Sequence, residues 1–178
     1  MPSMEVWIEY ASTYSYLTVA RLGRLAAQLG VALDWQPFFL PPVREHQGLG
    51  FPFPEASAKT AHMWRDLERL AEKEGLPFRH PSRFPRNGLL AARVALVGVE
   101  EGWVAPFARA VMSAYFAEDR EIGEEAVIVE ILGALGLPAA ELMARAQADP
   151  NKLALRCQTE RAAELGLALI TPDTSPRG

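Results

Sequence analysis

Cysteine is almost absent from this chain, which has Cys157 as its single cysteine in 178 residues. One cysteine excludes an internal disulfide and a catalytic pair of thiols. Proteins that depend on disulfides belong to oxidising compartments, so the composition favours a reducing cytoplasm. Histidine is scarce as well, and His46, His62 and His80 have no cysteine or carboxylate partners at ligand spacing. We therefore expect no metal site.

Clustered basic charge and long apolar runs are also missing. The 18 lysines and arginines are outnumbered by 22 acidic residues, which gives a net charge of −4. Nucleic acids and anionic membranes are bound by concentrated positive charge, so neither is an expected partner. No apolar run approaches the roughly 20 residues that span a bilayer. The first residues, Met-Pro-Ser-Met-Glu, lack the basic and apolar regions of a secretory signal. The expected location is the cytoplasm.

The first forty residues carry the pattern of a β-α-β unit. Residues 4–9 predict a strand, residues 15–28 a helix that ends at Gly30, and residues 31–38 a second strand. Such a crossover makes the two strands parallel. Residues 39–56 are rich in proline, glycine and phenylalanine, which predicts an irregular binding loop. Helical spacing of apolar residues then continues through segments 57–74, 88–101, 103–117, 124–135, 138–147 and 150–165.

Small hydroxyl residues stand where the first strand passes into the first helix. A helix start has unpartnered backbone N–H groups and a partial positive charge. Ser12 or Thr13 could simply cap the helix, which contributes about 1 kcal/mol. The same position also stabilises an anion such as a thiolate. The pattern alone leaves both interpretations open.

A resemblance extends this second interpretation. Segment 12–17, Ser-Thr-Tyr-Ser-Tyr-Leu, resembles the Ser-Pro-Tyr-Ser-Tyr-Leu motif of the 2-hydroxychromene-2-carboxylate isomerases. That family is similar to kappa-class glutathione transferases and to DsbA-type oxidoreductases, which carry Cys-x-x-Cys where Ser12 and Ser15 stand here. Thr13 replaces the proline of the motif. Further segments match the family in the same order: 35–38, 42–43, 47–48, 58–59, 63–67, 75–78, 84–87, 91–93, 107–111, 115–117 and 152–159.

The resemblance implies an α/β fold of the thioredoxin-like type, in which a β-α-β core carries a large helical insertion. The chain would be one domain over residues 1–178, with a thioredoxin-like part at about 1–56 and 150–178 and the insertion at about 57–149. The similarity ends near residue 166, before the hairpin, the cis-proline loop and the last helix of the family. Pro172 lies about one residue too late to be that proline. Without the hairpin, we expect Trp7 and Trp35 to be more exposed than in a complete fold.

The resemblance also implies a function, namely a glutathione-dependent cis-trans isomerase of an aromatic keto acid, acting as a homodimer. Ser12 would be catalytic by holding the glutathione sulfur as a thiolate, and Lys59 would bind the same cofactor. Arg44 would meet the carboxylate of the substrate, while Phe84 and Asn87 would line its pocket.

Less specific interpretations stay open at this point. Lys59 can be a solvated surface lysine, the 84–87 segment a packed turn, and Trp64 and Cys157 packing residues of helices. A kappa-like glutathione transferase or peroxidase would use the same Ser12 with another electrophile. A truncated, inactive helical binding domain is the non-enzymatic alternative.

Overall fold

The computed structural model describes residues 1–46 and 57–167, which form two strands and eight helices. Within these ranges, no helix is long and apolar enough to cross a bilayer, and no group of metal-ligating side chains comes together. The elements are β1 Ser3–Ile8, α1 Thr13–Leu29, β2 Ala32–Pro37, α2 Leu40–His46, α3 Ala58–Glu74, α4 Leu89–Glu101, α5 Val104–Phe116, α6 Glu125–Ala134, α7 Ala139–Gln147 and α8 Asp149–Glu164.

The predicted β-α-β unit is confirmed. β1 and β2 are parallel neighbours, with Val6 opposite Trp35. α1 begins two residues earlier than its apolar pattern suggests, because Ser12 caps it. It ends at Gly30, whose φ of 64° lies in the left-handed region that glycine adopts without strain.

The prediction of an irregular loop over residues 39–56 is wrong for its first part. α2 forms there because Pro41 and Pro42 lie in the first helical turn, where no backbone N–H is needed and the fixed φ of proline suits a helix. α2 buries Leu40 and Val43, which pack with Phe38 and with Ala162 of α8. The remaining residues of that segment, from 47 on, lie outside the described residues.

Most of the core lies among the helices that follow α3. Fully buried aromatic residues of α5, Phe107, Tyr115 and Phe116, stand at its centre. The expected exposure of Trp35 is wrong, since this side chain is only 8% exposed as part of the main core, to which α4 contributes where it packs on β2. Trp7 is half-buried and packs edge-on against Phe38, with 6.1 Å between ring centroids.

Two other predicted packing residues have opposite outcomes. Trp64 of α3 is buried, as its helical spacing indicates. Cys157 is exposed, so its assignment to packing is wrong. α8 turns Leu155, Thr159 and Ala162 toward the protein, and a residue two positions after Leu155 lies on the opposite face of a helix.

Candidate active site

Ser12 lies at the junction of strand and helix and is the N-cap of α1. Its Oγ accepts a hydrogen bond from the Ser15 backbone N–H at 3.4 Å, and the residue is 9% exposed. The oxygen is thus an acceptor, which leaves the hydroxyl hydrogen to be donated elsewhere. Within residues 1–46 and 57–167 no protein group accepts it. Capping and donation to a ligand are therefore compatible roles of one hydroxyl.

Glu9 closes the turn that leads to Ser12. Its backbone carbonyl accepts the Ser12 N–H at 3.2 Å, and its side-chain Oε2 accepts the Ala11 N–H at 2.9 Å. Glu9 is only 5% exposed, and this burial raises the pKa of the carboxyl to about 8, against the opposing effect of the two N–H groups. Sequence reasoning missed this residue. The one sequence feature that could have pointed to Glu9 is its position directly after an apolar strand.

A cavity of about 270 Å³ opens beside Ser12, between α1 and β1. Its lining includes both polar and apolar residues, which suits an organic ligand with both kinds of surface. The polar residues are Glu9, Ser12, Tyr14, Ser15 and Thr18, and the apolar residues are Val6, Trp7, Ile8, Val19, Phe38, Leu40 and Leu167.

The first half of α3 contacts the start of α1. Thr13 Oγ1 donates to Met63 Sδ at 3.9 Å, and the Tyr14 hydroxyl donates to Asp66 at 3.1 Å. Burial, reinforced by Asp66, raises the pKa of Tyr14 to about 12. Lys59 precedes Met63 by one helical turn, so it shares the face of α3 that turns toward α1. Lys59 is exposed and does not line the cavity.

The segment before α4 contains the other predicted pocket residues. Phe84 packs edge-on against Trp64, with 4.9 Å between the ring centroids. Asn87 is exposed, and its Oδ1 accepts the Leu89 N–H at 2.9 Å. Buried Arg86 fixes this segment. Neither Phe84 nor Asn87 is among the described residues that line the cavity.

Arg44 lies on α2 and is half-buried, and it too is outside the described lining. Of the five residues singled out in the sequence, the structure thus brings Ser12 alone to the cavity. The functional roles of all five stay predictions.

Comparison with known proteins decides the family. Residues 3–168 match the model of the DSBA-like thioredoxin domain. The chain belongs to this family. The predicted thioredoxin-like fold is therefore confirmed, while the predicted boundary between core and insertion stays a prediction. No curated protein matches the chain.

Solved structures show the same fold for this DSBA-like domain. The structure of 2-hydroxychromene-2-carboxylate isomerase has a TM-score of 0.81 and 20% identity, covering 93% of this chain and 81% of that one. A probable DsbA oxidoreductase from Streptomyces coelicolor has a TM-score of 0.71 and 24% identity, with coverages of 94% and 77%. The cytosolic disulfide reductase DsbM from Pseudomonas aeruginosa, in a structure with GSH, has a TM-score of 0.66 and 18% identity, with coverages of 93% and 82%.

These similarities establish the fold, and the chemistry of this DSBA-like domain follows from its own residues. Its one cysteine lies exposed on α8, away from the junction where Ser12 and Ser15 stand. Without a second cysteine, the chain cannot form and reopen an internal disulfide. The junction has the partial positive charge of a helix start, which favours an anion, together with the Ser12 hydroxyl as a hydrogen-bond donor.

Proposed function

We propose that this DSBA-like domain is a glutathione-dependent cis-trans isomerase of an aromatic keto acid, resembling 2-hydroxychromene-2-carboxylate isomerase. The observation that carries the proposal is the buried Ser12 hydroxyl, which caps α1 and has a hydrogen to donate beside the cavity. Among the solved structures with this fold, one is an isomerase of that name and one is a reductase with GSH. The matching Ser-x-Tyr-Ser-Tyr-Leu segment adds the sequence support.

In this mechanism the glutathione sulfur binds at the start of α1. The partial positive charge of the helix start and the Ser12 hydroxyl both favour the thiolate over the thiol. Serine suits this role because it donates a hydrogen bond to sulfur and cannot form a mixed disulfide with it.

Bound glutathione would supply a thiolate able to add reversibly to the conjugated double bond of the keto acid and to leave it again, so that this bond could rotate without net oxidation or reduction. The contribution of the chain would be to hold the sulfur at the start of α1, where Ser12 donates a hydrogen bond to it. Such chemistry needs no redox pair in the site.

The composition of the cavity lining suits this substrate class. The lining includes the aromatic residues Trp7 and Phe38 and the hydroxyl-bearing residues Ser12, Tyr14, Ser15 and Thr18. In the proposed complex, Lys59 binds a carboxylate of glutathione and Arg44 the carboxylate of the substrate. Phe84 and Asn87 would contact the part of the substrate that extends beyond the cavity.

A kappa-like glutathione transferase is the second candidate, because the same Ser12 geometry would present the thiolate to another electrophile. An assay of the purified chain with glutathione separates the two. Turnover of 2-hydroxychromene-2-carboxylate supports the isomerase, whereas turnover of a chloronitrobenzene alone supports the transferase. A folded chain that binds no glutathione in calorimetry would contradict both.

The role of Ser12 is tested against a matched cap. Ser57 caps α3 as Ser12 caps α1, since its Oγ accepts the Thr60 N–H at 3.1 Å. Ser12→Ala and Ser57→Ala should each cost about 1 kcal/mol of stability. Only Ser12→Ala should lower the glutathione-dependent turnover, by at least about tenfold. Equal turnover in the two variants would leave Ser12 as a cap and nothing more.

A further inference from the structure

Glu9 is a lining residue of the candidate site, and its buried carboxyl group has not yet been used in the proposed chemistry. It binds the turn before α1 twice, through its backbone carbonyl to the Ser12 N–H and through Oε2 to the Ala11 N–H. A side chain that accepts from the residue two positions later restricts the path of the turn. The location of the Ser12 hydroxyl therefore depends on Glu9.

Gly88, the residue before α4, confines this carboxyl group from the other side. A Cβ at Gly88 would lie 3.2 Å from Glu9 Oε1, 3.1 Å from Tyr10 Cβ and 3.4 Å from the Ala11 nitrogen. Only a residue without a side chain fits there unless its neighbours shift. The Glu9 carboxyl is thus held between the start of α1 and the start of α4.

The groups that face Glu9 leave it without a cationic partner within the described residues. Tyr10 on its own segment and Tyr115 of α5 are buried phenols, whose pKa values are raised first by burial and further by the Glu9 charge. Both are therefore neutral at physiological pH. Arg86 lies 5.1 Å from the centre of the Tyr115 ring, where it pairs with the carboxylates of Asp119 and Glu121.

Among the described residues that line the cavity, the titratable side chains are those of Tyr14, whose hydroxyl is bound to Asp66, and Glu9. The Glu9 carboxyl accepts the Ala11 N–H, one residue before Ser12. Its charge state therefore decides whether a negative charge lies beside the turn that presents Ser12.

We propose that Glu9 is a positioning residue for the thiolate: it holds the turn that presents Ser12 and controls whether a negative charge lies beside that turn. This inference rests on the proposed function. It adds a residue that sets the pH range in which the site accepts a thiolate.

The direction of the pH effect follows from like-charge repulsion. Burial raises the pKa of Glu9 to about 8, so the carboxyl is mostly protonated at neutral pH and ionised above that value. Ionisation puts a second negative charge close to the thiolate, which disfavours its binding. The affinity of the wild-type chain for the thiolate should therefore fall as the pH rises through about 8, while a Glu9→Gln variant keeps it.

Calorimetric titration with two probes tests this. Glutathione supplies a thiolate, whereas S-methylglutathione has the same skeleton and no ionisable sulfur. At about pH 7 the wild type and Glu9→Gln should bind glutathione within about twofold of each other, and at about pH 9 the variant should bind it about tenfold more tightly. For S-methylglutathione, the affinity of the wild type divided by that of Glu9→Gln should change less than about twofold between these pH values. Glu5→Gln, which changes an exposed glutamate of the preceding strand β1, should behave as the wild type.

A third variant separates the charge from the turn. Glu9→Ala removes the hydrogen bond to Ala11 and should weaken glutathione binding at both pH values, whereas Glu9→Gln restores it at neutral pH. A purely structural Glu9 would instead give the same pH profile for the wild type and Glu9→Gln, which would overturn the inference and leave the proposed function standing. If neither probe binds any chain that circular dichroism shows to be folded, the proposed function fails and this inference fails with it.

Discussion

The burial of Glu9 predicts a large and specific dependence of stability on pH. Its carboxyl is 5% exposed, and burial raises its pKa from an ordinary 4.5 to about 8. Between these two values the folded chain holds a proton that the unfolded chain has released. The free energy of unfolding therefore falls as the pH rises from about 4.5 to about 8, and this loss is complete above the upper value.

The size of the effect follows from the shift. At about 1.4 kcal/mol per pKa unit, a shift from 4.5 to about 8 corresponds to at most about 5 kcal/mol. Glu9→Gln removes the titration and keeps an oxygen that can accept the Ala11 N–H. The stability of the wild type minus that of Glu9→Gln should therefore decrease by several kcal/mol across this range.

Urea unfolding of both chains at a series of pH values measures this difference. The pH-dependent contributions of the titratable groups that both chains share cancel when one free energy of unfolding is subtracted from the other. Glu5→Gln serves as the control: Glu5 is exposed, and its hydrogen bond with Arg161 lowers its pKa, so its contribution has the opposite sign and is small. A difference between wild type and Glu9→Gln that stays flat from acid to alkaline pH would refute the reasoning.

Three further substitutions test the packing of the fold. Arg86→Met should destabilise the chain by about 3–5 kcal/mol in urea unfolding, because the buried guanidinium pairs with Asp119 at 2.5 Å; a loss under about 1 kcal/mol would contradict this. Gly98→Ala should cost about 1–3 kcal/mol in thermal unfolding, since its Cβ would lie 2.7 Å from the Trp103 ring. Gly133→Ala, where a Cβ meets open space on α6, should instead stabilise by about 0.4–1 kcal/mol, and equal effects of the two alanines would refute the packing argument.

Local sequence signals predict most of the elements. Gly30, Gly75 and Gly102 end three helices with φ of 64°, 67° and 81°, and the helical patterns before them agree with the structure to within about two residues. The cap at Ser12 was also predictable, because serine and threonine are favoured at the position just before a helix.

Tertiary contacts explain what the sequence could not predict. The prolines of α2 are compatible with its first turn, and Leu40 and Val43 pack with Ala162 of α8, far along the chain. Trp35 is buried because α4 packs on the sheet. The environment of Glu9 depends on Gly88, and no local pattern connects two residues so far apart. The candidate site was therefore predictable at Ser12 and unpredictable in its supporting residues.

The state of the bound sulfur tests the central claim most directly. Free glutathione is mainly a thiol near neutral pH, since an ordinary thiol has a pKa of about 8.5. If Ser12 and the start of α1 hold the thiolate, titrating glutathione with the wild-type chain at about pH 7 should produce the ultraviolet absorbance of a thiolate, in proportion to the complex formed. Ser57→Ala should retain this band, and Ser12→Ala should lose most of it. Glutathione that binds without the band, or a band that is unchanged in Ser12→Ala, would contradict the account.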